Sequence, residues 1–185
     1  MKIRRGIFET NSSSSHTLVF VPNEKLDQNI KPKQGVVDIM TGEYGWEWES
    51  YYSPEEKASY VATAIMNEYD EVDQGLVARF QRVIKEHTGA DIVRIMPVSG
   101  LQILKSQKDI IKNFASQGLP VPASTLEEMI DKQLESDDVH WGYIDHQSAP
   151  HGRPDVWNPI LEDDGTMKEF IFSSKCYFKT GNDNG

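Results

Sequence analysis

A single cysteine, Cys176, stands in the 185 residues, so no disulfide can close within the chain and no cysteine-based zinc site can be built from it. One thiol in an apolar stretch reads as a buried, inert side chain. Sparing use of cysteine points to a reducing compartment. Long apolar runs are also missing, and none approaches the roughly 18 residues that a membrane-spanning helix needs. The start carries Lys2, Arg4 and Arg5 but turns polar at Glu9-Thr10-Asn11, where a secretion signal requires an apolar stretch. Positive charge is scarce: 19 Lys and Arg against 29 Asp and Glu leave a net charge of −10. A field of that sign disfavours non-specific nucleic-acid binding, in which basic side chains must replace counterions. Two short basic groups, Lys2/Arg4/Arg5 and Arg79/Arg82/Lys85 along one helix face, read as solvated faces. The expectation is a cytoplasmic protein, with neither a membrane nor a nucleic acid as partner.

What is present is a globular composition, 38% hydrophobic and 26% charged, in a length that suits one domain over residues 1–185. Strand character marks 2–8, 16–21, 36–40, 91–96, 139–144 and 175–179. From Glu43 to Glu49, Tyr44, Trp46 and Trp48 alternate with acidic residues and Gly45. That is the period of a strand with one acidic side and one aromatic side, which reads as core-facing or, as the alternative, as a face that stacks bases or sugars. Ser53-Pro54-Glu55-Glu56 has the pattern of a capping box opening a helix, and Ala58, Val61, Ala62, Ile65, Met66 and Tyr69 share its apolar face. A second helix is expected near 71–87, with Val72, Leu76, Phe80, Val83 and Ile84 inward and Gly89 as its stop. Two more are expected near 106–117 and 124–136. Asp164-Gly165 reads as a tight hairpin turn leading into a strand over 167–172. Strands at both ends around a helical middle predict an α+β fold: a single domain with a mixed or antiparallel sheet from N- and C-terminal strands and about four helices.

Three polar segments stand out. The first is Asn11-Ser12-Ser13-Ser14-Ser15-His16, a run of small residues between strands. Such a loop can offer several backbone N–H groups and hydroxyls to one anion, and His16 could act as acid or base near neutral pH. The bland alternative is a polar turn whose hydroxyls satisfy their own backbone. No Gly-x-Ser-x-Gly elbow supports a serine nucleophile. The second segment is Asp145-His146-Gln147-Ser148. It falls where three of the five histidines, His140, His146 and His151, lie within twelve residues. Histidines beside a carboxylate suit zinc, manganese or proton transfer, although a structural role accounts for them equally well. The third segment is Gly181-Asn182-Asp183-Asn184, with amides and a carboxylate for a ligand, or simply a frayed end.

The order Asp145-His146, Pro150, Gly152, Asn158 is superficially similar to HNH nucleases. No histidine or asparagine stands one or two helical turns after Asn158, where those enzymes need their last metal ligand. The nuclease reading is set aside on that ground.

The opening KIRRGIFETNSSSSHTL, the central YIDHQS and the closing FIFSSKCYFKTGNDNG together resemble a family of uncharacterised proteins from large tailed bacteriophages and some bacteria. The resemblance covers both ends and the middle of the chain. It implies an accessory protein acting in the cytoplasm of an infected bacterium, and it implies that the three segments meet in space. It supplies no catalytic roles.

Two function classes follow. The first is an enzyme or binding protein for a phosphate-bearing small molecule such as a nucleotide. Asn11, Ser12, Ser13, Ser14, Ser15, Gln147, Ser148, Asn182 and Asp183 would bind it, and His16, Asp145 and His146 would carry any chemistry. The second is a non-enzymatic protein that binds and inhibits a host or defence component. No motif specifies a cofactor.

Overall fold

A computed structural model describes residues 14–20, 26–44, 48–66, 72–98, 141–144 and 158–182. In chain order these form β1 (Ser14–Val19), β2 (Val36–Met40), β3 (Glu43–Tyr44), β4 (Glu49–Tyr51), α1 (Pro54–Met66), α2 (Gln74–Thr88) and β5 (Ile92–Met96). The chain then continues through β6 (Tyr143–Ile144), α3 (Asn158–Glu162), α4 (Asp164–Phe172) and β7 (Tyr177–Asn182). The fold is α+β. An antiparallel sheet of order β1-β7-β4 joins the two ends of the chain, and two parallel pairs, β2-β5 and β3-β6, flank it.

The capping box of α1 forms as its residues dictate. The Glu56 amide donates to Ser53 Oγ at 3.2 Å and the Ser53 amide to Glu56 Oε2 at 2.9 Å, so each residue satisfies a donor that the helix start leaves without a partner. Ala58, Val61, Ala62 and Ile65 are buried as the spacing predicts, and Lys57, Tyr60 and Thr63 are buried with them. Helix α2 begins on Asp73, whose carboxylate accepts from the Gly75 and Leu76 amides, and ends on Gly89 in the left-handed conformation. Leu76, Phe80, Val83 and Ile84 form its buried face.

Helix α1 occupies the centre of the core. Its Tyr60 ring stacks on Phe178 of β7 at 3.8 Å, and Tyr44 of β3 meets both rings edge-on at 4.9 and 5.5 Å. These contacts tie a parallel pair, a helix and the antiparallel sheet into one aromatic cluster. Such pairs contribute about 0.5–1.5 kcal/mol each beyond their buried area.

Four sequence expectations need correction. Residues 164–172 are helix α4, not a hairpin turn and strand. Asp163 caps that helix, its carboxylate accepting from the Thr166 amide at 2.7 Å, and Met167, Phe170 and Ile171 then fall on one buried helical face. Residues 43–49 do not form one strand. β3 pairs with β6 while β4 pairs with β7, so Tyr44 is buried whereas Trp48 is 70% exposed. The last strand runs to Asn182, past the predicted end at 179, because β1 pairs with it as far as Asn182 and β4 as far as Thr180. Arg79, Arg82 and Lys85 are engaged rather than merely solvated. Arg79 and Arg82 both bind the Asp164 carboxylate, at 3.1 and 2.6 Å, and Lys85 donates to the Asp91 carbonyl at 2.8 Å. The strand over 2–8 and the helices over 106–117 and 124–136 lie outside the described residues.

Candidate functional site

The described parts of the first and third polar segments lie side by side, and Ser14, Ser15 and His16 belong to strand β1 rather than to the loop expected between strands. In the β1-β7 ladder Ser14 is opposite Asn182, Ser15 opposite Gly181 and His16 opposite Thr180. β4 extends these rows on the other edge of β7, setting Glu49 opposite Thr180 and Tyr51 opposite Phe178. Rows of a sheet alternate between its two faces. The Phe178 and Thr180 rows belong to the buried face, since Leu18, Phe178 and Thr180 are all buried. The row of Ser15 and Gly181 belongs to the opposite face.

By register the row His16, Thr180, Glu49 crosses all three strands, with Thr180 buried and Glu49 exposed. Tyr51, one row along, donates its hydroxyl to the Glu49 carboxylate. The Thr180 hydroxyl also bonds to the Tyr51 oxygen. Because an ionised carboxylate only accepts, the direction is fixed: Thr180 donates to Tyr51 and Tyr51 donates to Glu49. Burial, and next the bond to Glu49, push the Tyr51 phenol well above its ordinary range. Tyr51 therefore keeps its proton, and Glu49 accepts the last hydrogen bond of a short chain. The sequence reading missed Glu49, Tyr51 and Thr180. Glu49 does sit at the acidic phase of the 43–49 alternation, but nothing local announces its link to Thr180.

On the opposite face Trp48 comes just before β4, so the register carries it beside Gly181. A Cβ on Gly181 would stand 2.5 Å from Cε3 of the indole, a clash that only glycine avoids. Lys179 is exposed on this face, its ammonium 5.7 Å from the Tyr177 ring centre. It supplies positive charge beside the Ser15–Gly181 row in a chain of net charge −10.

Of the sequence-derived candidates, Ser14, Ser15, His16 and Asn182 are placed by backbone register. Asn11, Ser12, Ser13, Asp145, His146, Gln147, Ser148 and Asp183 lie outside the described residues. The segment ahead of Asp145 is placed: Ile144 is buried and pairs with Tyr44, whose ring lies 5.5 Å from both Tyr51 and Phe178. Ile144 thus ends the described stretch beside the aromatic cluster packed against the β1-β7-β4 sheet. Gly142 makes that approach possible, with φ at +76° and the carbonyl of Gly42 occupying the space a side chain would need.

Among the described residues, no three His, Cys, Asp or Glu side chains gather closely enough to hold a metal ion. No helix among them is long and apolar enough to cross a membrane. Cys176 is buried, as its apolar context predicts. Comparison of the chain with protein-family models, with curated proteins and with solved structures yields no match.

Proposed function

We propose that the protein binds a phosphate-bearing small molecule, with a nucleotide as the leading class, at the end of the β1-β7-β4 sheet. The segments at 11–16, 145–148 and 181–184 would form the site. The observation that carries this reading is the pairing of Ser14 and Ser15 with Asn182 and Gly181. It puts two stretches rich in small polar residues on adjacent strands, where hydroxyl and carboxamide groups could meet one anion. His16 and His146 would then move protons and Asp145 would orient one of them or help hold a metal. The family resemblance gives the setting, an accessory protein of tailed phages working in the bacterial cytoplasm.

The test is calorimetric titration of the full chain with nucleoside mono- and triphosphates. Alanine at Ser14 and Ser15 together is expected to weaken binding at least tenfold. If no phosphate compound binds at millimolar concentration, the reading fails. If one binds, turnover that disappears in His16→Ala and His146→Ala separates an enzyme from a binder.

A protein partner is the alternative, favoured by the 70% exposure of Trp48 and the 49% exposure of Tyr52. Exposed aromatic side chains are typical anchors of interfaces. This protein would then inhibit a host or defence component through that surface, and small phosphates would have no effect on it.

A further inference from the structure

Gln28 joins several elements through one residue. Its backbone N–H donates to the Phe172 carbonyl at the end of α4, and its carbonyl accepts from His87 near the end of α2. Its carboxamide nitrogen donates to the Tyr52 carbonyl just past β4, and its carboxamide oxygen accepts from the Lys57 ammonium of α1. The same ammonium donates to the Ser173 and Cys176 carbonyls, which bracket the turn into β7. Four elements and the approach to β7 are therefore tied at one point, and Lys57 closes it.

The bonding makes this junction sensitive to the proton on Lys57. All three acceptors are neutral, and the amine is fully buried. Burial without a bonded carboxylate favours the neutral amine, because the charge loses its hydration and gains no ion pair. The nearby acids are engaged elsewhere. Asp27 accepts from the Ser174 amide and hydroxyl at 2.7 and 2.5 Å, and Glu56 closes the capping box of α1. Cys176 is a third titratable group beside the amine, and His87 faces the junction from α2. Desolvation outweighs the influence of Cys176, Asp27 and Glu56 and lowers the amine to about 8.

The turn is also where the junction can open. Ser174 and Lys175 at its tip are exposed, while Ser173 and Cys176 on either side are buried. A small displacement of the tip carries two of the three acceptors away and lets water reach the amine. Local openings of that size cost less than unfolding the domain. In the open form the amine regains its hydration and its ordinary basicity. Opening therefore takes up a proton whenever the closed form has released it.

We infer that the Lys57 junction is a proton-linked latch on the turn over 173–176, which holds the approach to β7 more firmly as the solution becomes more alkaline. The latch is independent of the proposed ligand, but it acts on the strand that carries Thr180, Gly181 and Asn182.

The test is amide hydrogen exchange of the full chain between pH 7 and 9.5, followed residue by residue. Ser173 and Cys176 report on the turn, since their amides donate to the Glu169 and Ser173 carbonyls. Both should exchange faster than Phe80 in the buried face of α2, which is released only by unfolding of the domain. After correction for the intrinsic rate, their protection is expected to rise about tenfold between pH 8 and 9.5. Val36, whose amide bonds to Lys33 away from the junction, should gain nothing. In Lys57→Met the rise should vanish, and in the wild type the Lys57 ε-carbon resonance should titrate over the same interval. Should the variant not fold, the wild-type resonance and the wild-type protection, sharing one onset, decide the matter. Level protection at Ser173 and Cys176 overturns the latch, as does exchange there as slow as at Phe80. A Lys57 resonance that titrates near its ordinary 10.5 overturns it as well.

Discussion

The Lys57 ammonium lies 2.7 Å from the carbonyl oxygen of Ser173, a residue 116 positions further along the chain. Its other two partners are the Cys176 carbonyl at 3.1 Å and Gln28 Oε1 at 2.7 Å. Three donors therefore meet three acceptors, and Lys57 is fully buried. The contact fixes the turn between α4 and β7, and so the strand that carries Thr180, Gly181 and Asn182. Gln28 reinforces it, since its amide donates to the Phe172 carbonyl at 2.9 Å and its own carbonyl accepts from His87 at 3.0 Å.

Lys57→Met should therefore destabilise the fold by on the order of 2 kcal/mol. Losing the amine leaves three acceptors, two of them buried, without their donor, and relief from burying a charge offsets only part of that cost. Urea denaturation measures the difference. A variant as stable as the wild type would show that the amine contributes nothing net.

Burial lowers the Lys57 pKa from its ordinary 10.5 to about 8. The folded protein thus releases this proton near pH 8, while the unfolded chain keeps it up to about pH 10.5. Across that window the unfolded state binds more protons, so on account of Lys57 stability rises with pH. The buried tyrosines act in the opposite sense. Desolvation raises Tyr44 to about 12 and Tyr60 well above its ordinary 10.0. Their contribution is complete below about pH 10 and is lost as pH climbs through the folded values. The wild type minus Lys57→Met difference in urea midpoint should grow between pH 8 and 10. Tyr44→Phe should lessen the loss above pH 10. A difference that shrinks from pH 8 upward would contradict the assignment.

Gly181→Ala should cost about 1–3 kcal/mol, because the new methyl group must displace the Trp48 ring. In the background of Trp48→Ala the same change should cost much less. The coupling energy of this double-mutant cycle is the measurement. Additive effects would mean that the indole does not rest on the glycine.

Asp163 and Asp164 are adjacent in sequence but act differently. Asp163 caps α4, and Asp164 holds Arg79 and Arg82 on α2. Asp163→Ala should lower the unfolding temperature, because α4 loses its cap, with little dependence on salt. Asp164→Ala should lower it less, and its effect should fade as salt screens the exposed pairs. Thermal unfolding at low and high ionic strength distinguishes the two, and equal salt dependence would contradict the assignment.

What the sequence revealed was mostly local. The Ser53–Glu56 capping box and the Gly89 stop involve residues a few positions apart, and both form. The strands at both ends of the chain signalled a shared sheet, and β1 and β7 make it. Asp164-Gly165 was misleading because the same pair opens a hairpin or sits in the first turn of a capped helix. The partners that hold it, Arg79 and Arg82, come from 82 and more positions away. The aromatic alternation over 43–49 hid a change of sheet between Tyr44 and Glu49. Lys57 could not be read as buried, since its acceptors belong to segments 29, 116 and 119 residues distant. For the site, the motifs singled out Ser14, Ser15, His16 and Asn182. The hydrogen-bond chain from Thr180 through Tyr51 to Glu49 depends on a register that no local pattern encodes.

The most direct test of the central claim is an amide-resolved NMR titration of the full chain with a nucleoside monophosphate. Binding at the end of the β1-β7-β4 sheet predicts that the largest shifts fall on the amides of Ser14, Ser15, His16, Gly181 and Asn182. Shifts centred elsewhere, for instance on the β2-β5 pair, or no shifts at saturating ligand, would contradict it.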